Sequence, residues 1–109
     1  PTPAPTPRDF TCAELAKFDG KQGRPMYTAC HGTVFDMGSH PDGLGYYGKG
    51  MPYNCFIGID ASLLFARVIL DVEKARENPT LTAMERDTML DWHAKFEMKY
   101  HIVGYLTDG

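Results

Sequence analysis

An α+β fold is predicted by three features of the sequence. Thr11 with Glu14 and Thr82 with Glu85 are capping-box spacings, and each opens a stretch with apolar residues at helical intervals. The runs MYTAC, TVFDM and KYHIVGYL are β-branched and aromatic enough to be strands, and only His31-Gly32 separates the first two. Between hairpin and closing strand the pattern returns to helical spacing. The predicted order is helix, hairpin, loop, helix, loop, helix, strand.

In chain order, PTPAPTP alternates proline with small residues and is expected to be an extended, solvated tether, so that residues 1–8 form a linker and 9–109 one domain. A chain beginning inside such a tether leaves open an anchor upstream. In TCAELAKF, Leu15 and Phe18 fall on one face, and Asp19-Gly20 ends the helix. The hairpin MYTAC–HG–TVFDM follows, with Gly32 supplying positive φ. GSHPDGLGYYGKGMPYN is then expected to be one long polar, Gly-rich loop. Asp60 is expected to cap a helix through ASLLFARV, with Leu63, Leu64 and Val68 on its apolar face. LDVEKARENPTL is polar and expected to be irregular. Thr82 then opens a helix of about four turns, TAMERDTMLDWHAKF, whose buried side carries Met89, Trp92 and Phe96. KYHIVGYL closes the domain, and no internal repeat is present.

The bulk composition narrows the function classes. At 109 residues, 43% hydrophobic and 23% charged, the chain is long enough for one modest core. A formal net charge of -3 offers no basic field for nucleic acid. No apolar run approaches a membrane span, and no stretch reads as a signal peptide. Cys12, Cys30 and Cys55 are an odd number at irregular spacing. They fit neither a disulfide framework nor a zinc site, so they read as small apolar fillers in a reducing compartment.

Most catalytic patterns are missing. No two histidines stand at a zinc-type i, i+4 spacing, and no G-x-S-x-G is present. Ser39 and Ser62 fit turn and cap positions. Cys30 and His31 are adjacent on an extended segment and point to opposite faces, which disfavours a nucleophile–base pair. GLGYYGKG lacks the phosphate-loop order. His31 is expected exposed in its turn, His93 at the surface or boundary, and His101 at a strand start. His40-Pro41-Asp42-Gly43 resembles the HPGG haem-ligand motif of cytochrome b5-like domains.

The tyrosines remain. Tyr46, Tyr47, Tyr53, Tyr100 and Tyr105 concentrate in the long loop and the last strand. A free phenol, with a pKa of about 10, is a poor metal ligand at neutral pH. Ferric iron stabilises the phenolate, and tyrosinate-ligated haem is an established mode that second-shell donors support. The other reading of the same residues is a set of loop aromatics closing a core.

Four stretches taken in order, RDFTCAELAKFDG, YTACHGTVFDM, YYGKGMPYNCFIGIDAS and WHAKFEMKYHIVGYL, resemble the membrane-associated progesterone receptor family, the cytochrome b5-related haem/steroid-binding group. The likeness runs from about Asp9 to Leu106, and its most specific pieces are VFD, YG-x-x-x-PY, G-x-DAS and KYxxVG. The resemblance implies a cytochrome b5-like fold, a small mixed sheet with helices forming a haem cleft, and ferric haem b held by one tyrosinate at Tyr53. It further implies that Tyr47 hydrogen-bonds the ligand oxygen or a propionate, and that Lys99 and Tyr100 contact propionates at the haem edge. Gly58-Ile59-Asp60-Ala61 follows Tyr47, not His40, by about the dozen residues that separate ligand and turn in true cytochrome b5 domains. No second histidine follows the DAS helix before Asp91. Both points disfavour a bis-histidine electron carrier. Lys49 and Met51 depart from a family loop usually richer in Pro and Gly.

The function implied by the resemblance is a non-enzymatic haem-binding module with a five-coordinate tyrosinate. Haem handling, association with cytochrome P450 enzymes in sterol metabolism and a haem-stacked homodimer are its expected settings, at the endoplasmic reticulum membrane with the domain facing the cytoplasm. Steroid binding is a family label without direct support in these residues. The alternative is a protein-interaction or lipid/steroid-binding domain that keeps the fold without functional haem, Tyr53 then being a packing residue.

Overall fold

In the computed structural model, which describes residues 7–108, β1 (Arg8–Phe10), β2 (Tyr27–Cys30), β3 (Thr33–Asp36) and β4 (His101–Leu106) form one mixed sheet in the order β1–β4–β3–β2. The predicted hairpin is β2–β3, turning on His31 and Gly32 at φ 52° and 80°. Two successive positive-φ residues give a turn whose twist matches that of the strands it joins. The predicted closing strand is β4, antiparallel to β3 and parallel to β1. Arg8, assigned to the tether from the sequence, opens β1 opposite Gly104, while residues 1–6 of that tether lie outside the described residues.

The sheet divides two apolar clusters because successive strand residues point to opposite faces. Ala29 and Val34 pack with Phe10, Leu15 and Val103 on one side. Cys30 and Phe35 join the larger cluster on the other, with Leu64, Phe65, Met89 and Phe96. α1 (Cys12–Leu15) covers the smaller cluster. Its capping box is complete: Thr11 Oγ1 accepts from the Glu14 amide at 3.1 Å and a Glu14 carboxylate oxygen accepts from the Thr11 amide at 3.0 Å.

The remaining helices cover the larger cluster, and two were not predicted. The segment expected as one long loop contains α2 (Pro41–Tyr47). Its start is preorganised by Pro41, which needs no amide partner there, and by His40 Nδ1, which accepts from the Asp42 amide at 3.1 Å. Gly43 lets the helix lie directly on the Met37 backbone, where a methyl group would overlap the Met37 carbonyl. The polar stretch after residue 70 contains α4 (Val72–Arg76), capped by Asp71, whose carboxylate accepts from the Lys74 amide at 3.1 Å. Ala75 is fully buried, and tertiary packing of that kind sustains a helix too short to be stable alone.

α3 (Ser62–Arg67) begins one residue later than predicted: Asp60 accepts from the Ser62 amide at 3.2 Å and the Ser62 hydroxyl at 2.6 Å. Leu64 is buried as expected. Val68 is not: it ends the helix at φ 55° and its side chain turns out to solvent, 68% exposed. α5 (Ala83–Lys99) carries the second complete capping box, and Met89 and Phe96 are buried with Trp92 packed against the cluster. Arg67 ties α3, α4 and α5 together, donating to Glu85 at 3.0 Å and to the Ala75 and Thr80 carbonyls.

The two glycines of α2 separate packing from propensity. Gly43→Ala is expected to lower unfolding free energy by about 1–3 kcal/mol, through overpacking against Met37. Gly45, with nothing near an added Cβ, is expected to gain about 0.5–1 kcal/mol on replacement by Ala. Urea unfolding followed by circular dichroism measures both signs.

Candidate ligand-binding groove

The density of phenols in YYGKGMPYN is explained by how the segment folds back on itself. α2 ends in Tyr46 and Tyr47, and after a turn the chain returns so that the Tyr53 amide donates to the Tyr46 carbonyl at 3.2 Å. Asn54 Nδ2 donates to the Tyr47 carbonyl at 2.8 Å and closes the loop. The Tyr53 ring then stacks on Phe56, with centroids 5.6 Å apart and planes 5° from parallel, and leans on Tyr47 at 5.8 Å and Tyr46 at 6.3 Å.

Tyr53 stands between two cavities. The first, about 260 Å³, lies between this loop and the last turns of α5; Tyr46 and Tyr53 form one wall, and Trp92, Lys95, Lys99 and Tyr100 the other. The second, about 190 Å³, is apolar and reaches Leu64, Phe65 and Leu70. Tyr47, Tyr53 and Trp92 line both, so the two cavities meet at those rings.

The phenols differ in their surroundings. Tyr47 is 3% exposed, and burial drives its pKa well above the ordinary phenol value, with neighbouring Tyr100 adding to the effect. Tyr100 is raised by burial too, against an opposing pull from the Lys99 charge. Tyr53 is 38% exposed. Among the described residues the Tyr47 and Tyr53 hydroxyls have no hydrogen-bond partner. Among the described residues no fully buried side-chain polar atom lacks one, so the Tyr47 hydroxyl keeps some exposure, on a side chain that lines both cavities. Lys99, which lines the first cavity, donates to Asp42 at 2.7 Å.

All four residues singled out from the sequence, Tyr47, Tyr53, Lys99 and Tyr100, line the first cavity. The other candidates fall elsewhere. His40 caps α2, with its ring edge-on to Tyr100 at 6.1 Å. Cys30 is fully buried, donates to the Met89 carbonyl, and has its thiol pushed up to about 12 by burial. His31 is turned away from it and meets His93 edge-on at 5.8 Å. His93 is half-buried, between Thr33 at 2.9 Å and Glu97 at 3.1 Å. The filler reading holds for Cys30 alone; Cys12 and Cys55 are exposed free thiols, because they sit at a helix start and in a surface turn. Tyr46, Trp92 and Lys95 also line the groove without having been assigned to a site. The signal for the α5 wall was present: residues 92, 95 and 99 recur at helical spacing on one face.

Among the described residues, no three His, Cys, Asp or Glu side chains converge as a metal site, and no helix is long and apolar enough to cross a membrane. The polar side chains lining the first cavity carry phenol, ammonium and indole groups, of which a phenol can ligate a metal.

The Lys99–Asp42 pair predicts a specific titration. Lys99 holds the Asp42 carboxyl below its usual range, so the pair's contribution to stability is present above the unfolded carboxyl pKa and fades as pH falls through the lower folded value. Carboxyl NMR is expected to find Asp42 titrating below the ordinary range, and Lys99→Met to return it there.

No family model matches the chain. Among curated proteins it is 36% identical to probable steroid-binding protein 3 of Arabidopsis thaliana, over 88% of this chain and 95% of that protein. It is 33% identical to human membrane-associated progesterone receptor component 2, over 91% of this chain and 45% of that protein. It is also 35% identical to the cytochrome P450 regulator dap1 of Schizosaccharomyces pombe, over 91% of this chain and 63% of that protein. The chain thus spans nearly the whole plant protein but less than two thirds of the other two. A solved Arabidopsis thaliana protein described as having a cytochrome b5-like fold superposes with a TM-score of 0.76 at 35% identity, covering 91% of this chain and 90% of that one. These relatives are named as binding proteins, a receptor component and a regulator, not as enzymes.

Proposed function

Since the chain belongs to the membrane-associated progesterone receptor family and has a cytochrome b5-like fold, we propose that it is a non-enzymatic module binding ferric haem b through Tyr53. The observation that carries this reading is the position of Tyr53: a half-exposed phenol, without a hydrogen-bond partner among the described residues, at the junction of two aromatic-lined cavities. The donor set fits haem. Aromatic walls suit a flat apolar ring, the groove edge carries lysines, and a phenol is the oxygen donor that ferric iron favours.

Bound haem would supply a Lewis-acidic ferric iron able to keep a phenolate charged at neutral pH, with Tyr53 as the residue that would hold it. The chain's own groups do the rest. Stacking on Phe56 holds the Tyr53 ring in one orientation. Tyr47, whose burial opposes ionisation, keeps its proton and can donate to an oxygen in the groove. Tyr100 is its counterpart on the other wall, and Lys99 places an ammonium group on the lining that could meet a ligand carboxylate. Tyr46, more exposed at 52%, touches only the first cavity and is the weaker candidate for ligand.

By analogy with the relative named a cytochrome P450 regulator, its proposed partners are cytochrome P450 enzymes. Haem handling, sterol metabolism and a place at the cytoplasmic face of the endoplasmic reticulum membrane are what the family resemblance adds to the proposal. Stacking of two copies through haem at the open groove is compatible with the exposure of Tyr46 and Tyr53. A second reading, a lipid- or steroid-binding domain without functional haem, is favoured by the apolar cavity under Leu64 and Leu70 and by the name of the plant relative.

Titration of the purified protein with ferric haem separates the two. High-spin tyrosinate bands are expected in wild type and in Tyr46→Phe, and are expected to vanish in Tyr53→Phe. Absence of saturable change in wild type would support the haem-free reading, and loss in Tyr46→Phe alone would move the ligand to that residue.

A further inference from the structure

Among the described residues the Lys95 ammonium makes no ion pair and no hydrogen bond. Asp91, one turn earlier on α5, stands at the spacing and in the order that favour an ion pair. Among the described residues no such pair forms; the Lys95 ammonium lies instead 5.0 Å from the centroid of Trp92, on the groove wall. Lys99, four residues on, faces the same groove, so two like charges share one helix face, an unfavourable spacing in isolation. Asp42 neutralises only one of them. The helix dipole accounts for a cation in the last turn, where Lys99 is, and stops short of Lys95. This leaves Lys95 as an uncompensated cation beside aromatic walls, next to the Lys99–Asp42 pair.

We propose that Lys95 and Lys99 together form a two-cation edge that selects planar aromatic ligands bearing two carboxylates over uncharged ligands of the same shape, sterols included. The inference rests on the groove being a porphyrin site and adds the residue that sets its preference. One ligand carboxylate offsets the Lys95 charge that Asp42 leaves unpaired and a second shares Lys99 with Asp42, whereas an uncharged ligand covers the lysines and gains nothing for it. Screening by salt must weaken the preference, since both groups remain near water.

The test uses metal-free protoporphyrin IX and its dimethyl ester, so that no iron–oxygen bond contributes, and reads quenching of Trp92, the single tryptophan of the chain. Wild type is expected to bind the diacid about fivefold more tightly than the diester, the upper range for an exposed ion pair. Lys95→Gln is expected to lose most of that preference, Lys95→Arg to keep it, and added salt to shrink it. An undiminished preference in Lys95→Gln, or equal binding of both porphyrins by wild type, would overturn the edge alone. Failure of both porphyrins to quench wild type would overturn the edge together with its premise.

Discussion

Five aromatic rings meet the ring of Phe96, and they come from the sheet, α2, α3 and the α5 segment itself. Phe35 of β3 lies 5.6 Å away, Phe65 of α3 5.1 Å and Tyr47 of α2 6.5 Å, while Trp92 and Tyr100 approach from its own side of α5 at 5.9 and 5.5 Å. Such contacts are directional, favouring edge-on or offset geometry over free sliding. The sheet thereby fixes α5, and α5 fixes the tyrosine-bearing loop. The groove exists because loop and helix are clamped at their shared aromatic base while their outer ends, Tyr53 on one side and Lys95 and Lys99 on the other, remain apart.

The sequence was most readable where a few adjacent residues decide the structure. Both capping boxes, the His31-Gly32 turn and the closing strand are local matters, and each was found where expected. β1 could not be read that way: three residues become a strand only because β4, almost the whole chain away, offers a parallel edge. α2 and α4 had weak local signals in Pro41 and Asp71, outweighed by two glycines in one case and polar composition in the other. Packing of Gly43 on Met37 and burial of Ala75 decided them. Val68 failed for a related reason, since its left-handed backbone ends the helix and reverses the direction in which an apolar side chain should point.

The groove was legible by a different route. Composition and spacing left the tyrosines divided between a metal ligand and a plug; the family likeness selected Tyr47, Tyr53, Lys99 and Tyr100, and these four do share a cavity. Burial sorts them by chemistry. Tyr47 and Tyr100 are enclosed and hold their protons, which suits donors, while Tyr53 is open to a ligand. His40, the residue with the more familiar haem motif, is occupied in starting α2. Lys95 was overlooked because a lysine on a long helix ordinarily reads as a solvated face; only the position of its ammonium over Trp92 distinguishes it.

The central claim is that the Tyr53 oxygen, as phenolate, is the protein atom bonded to ferric iron. Resonance Raman spectroscopy of the haem-loaded protein, prepared with ordinary and with ring-deuterated tyrosine, addresses that bond directly. The account predicts enhanced phenolate modes that shift with the label and are absent from Tyr53→Phe. Bands insensitive to the label, or an iron–imidazole signature, would contradict it.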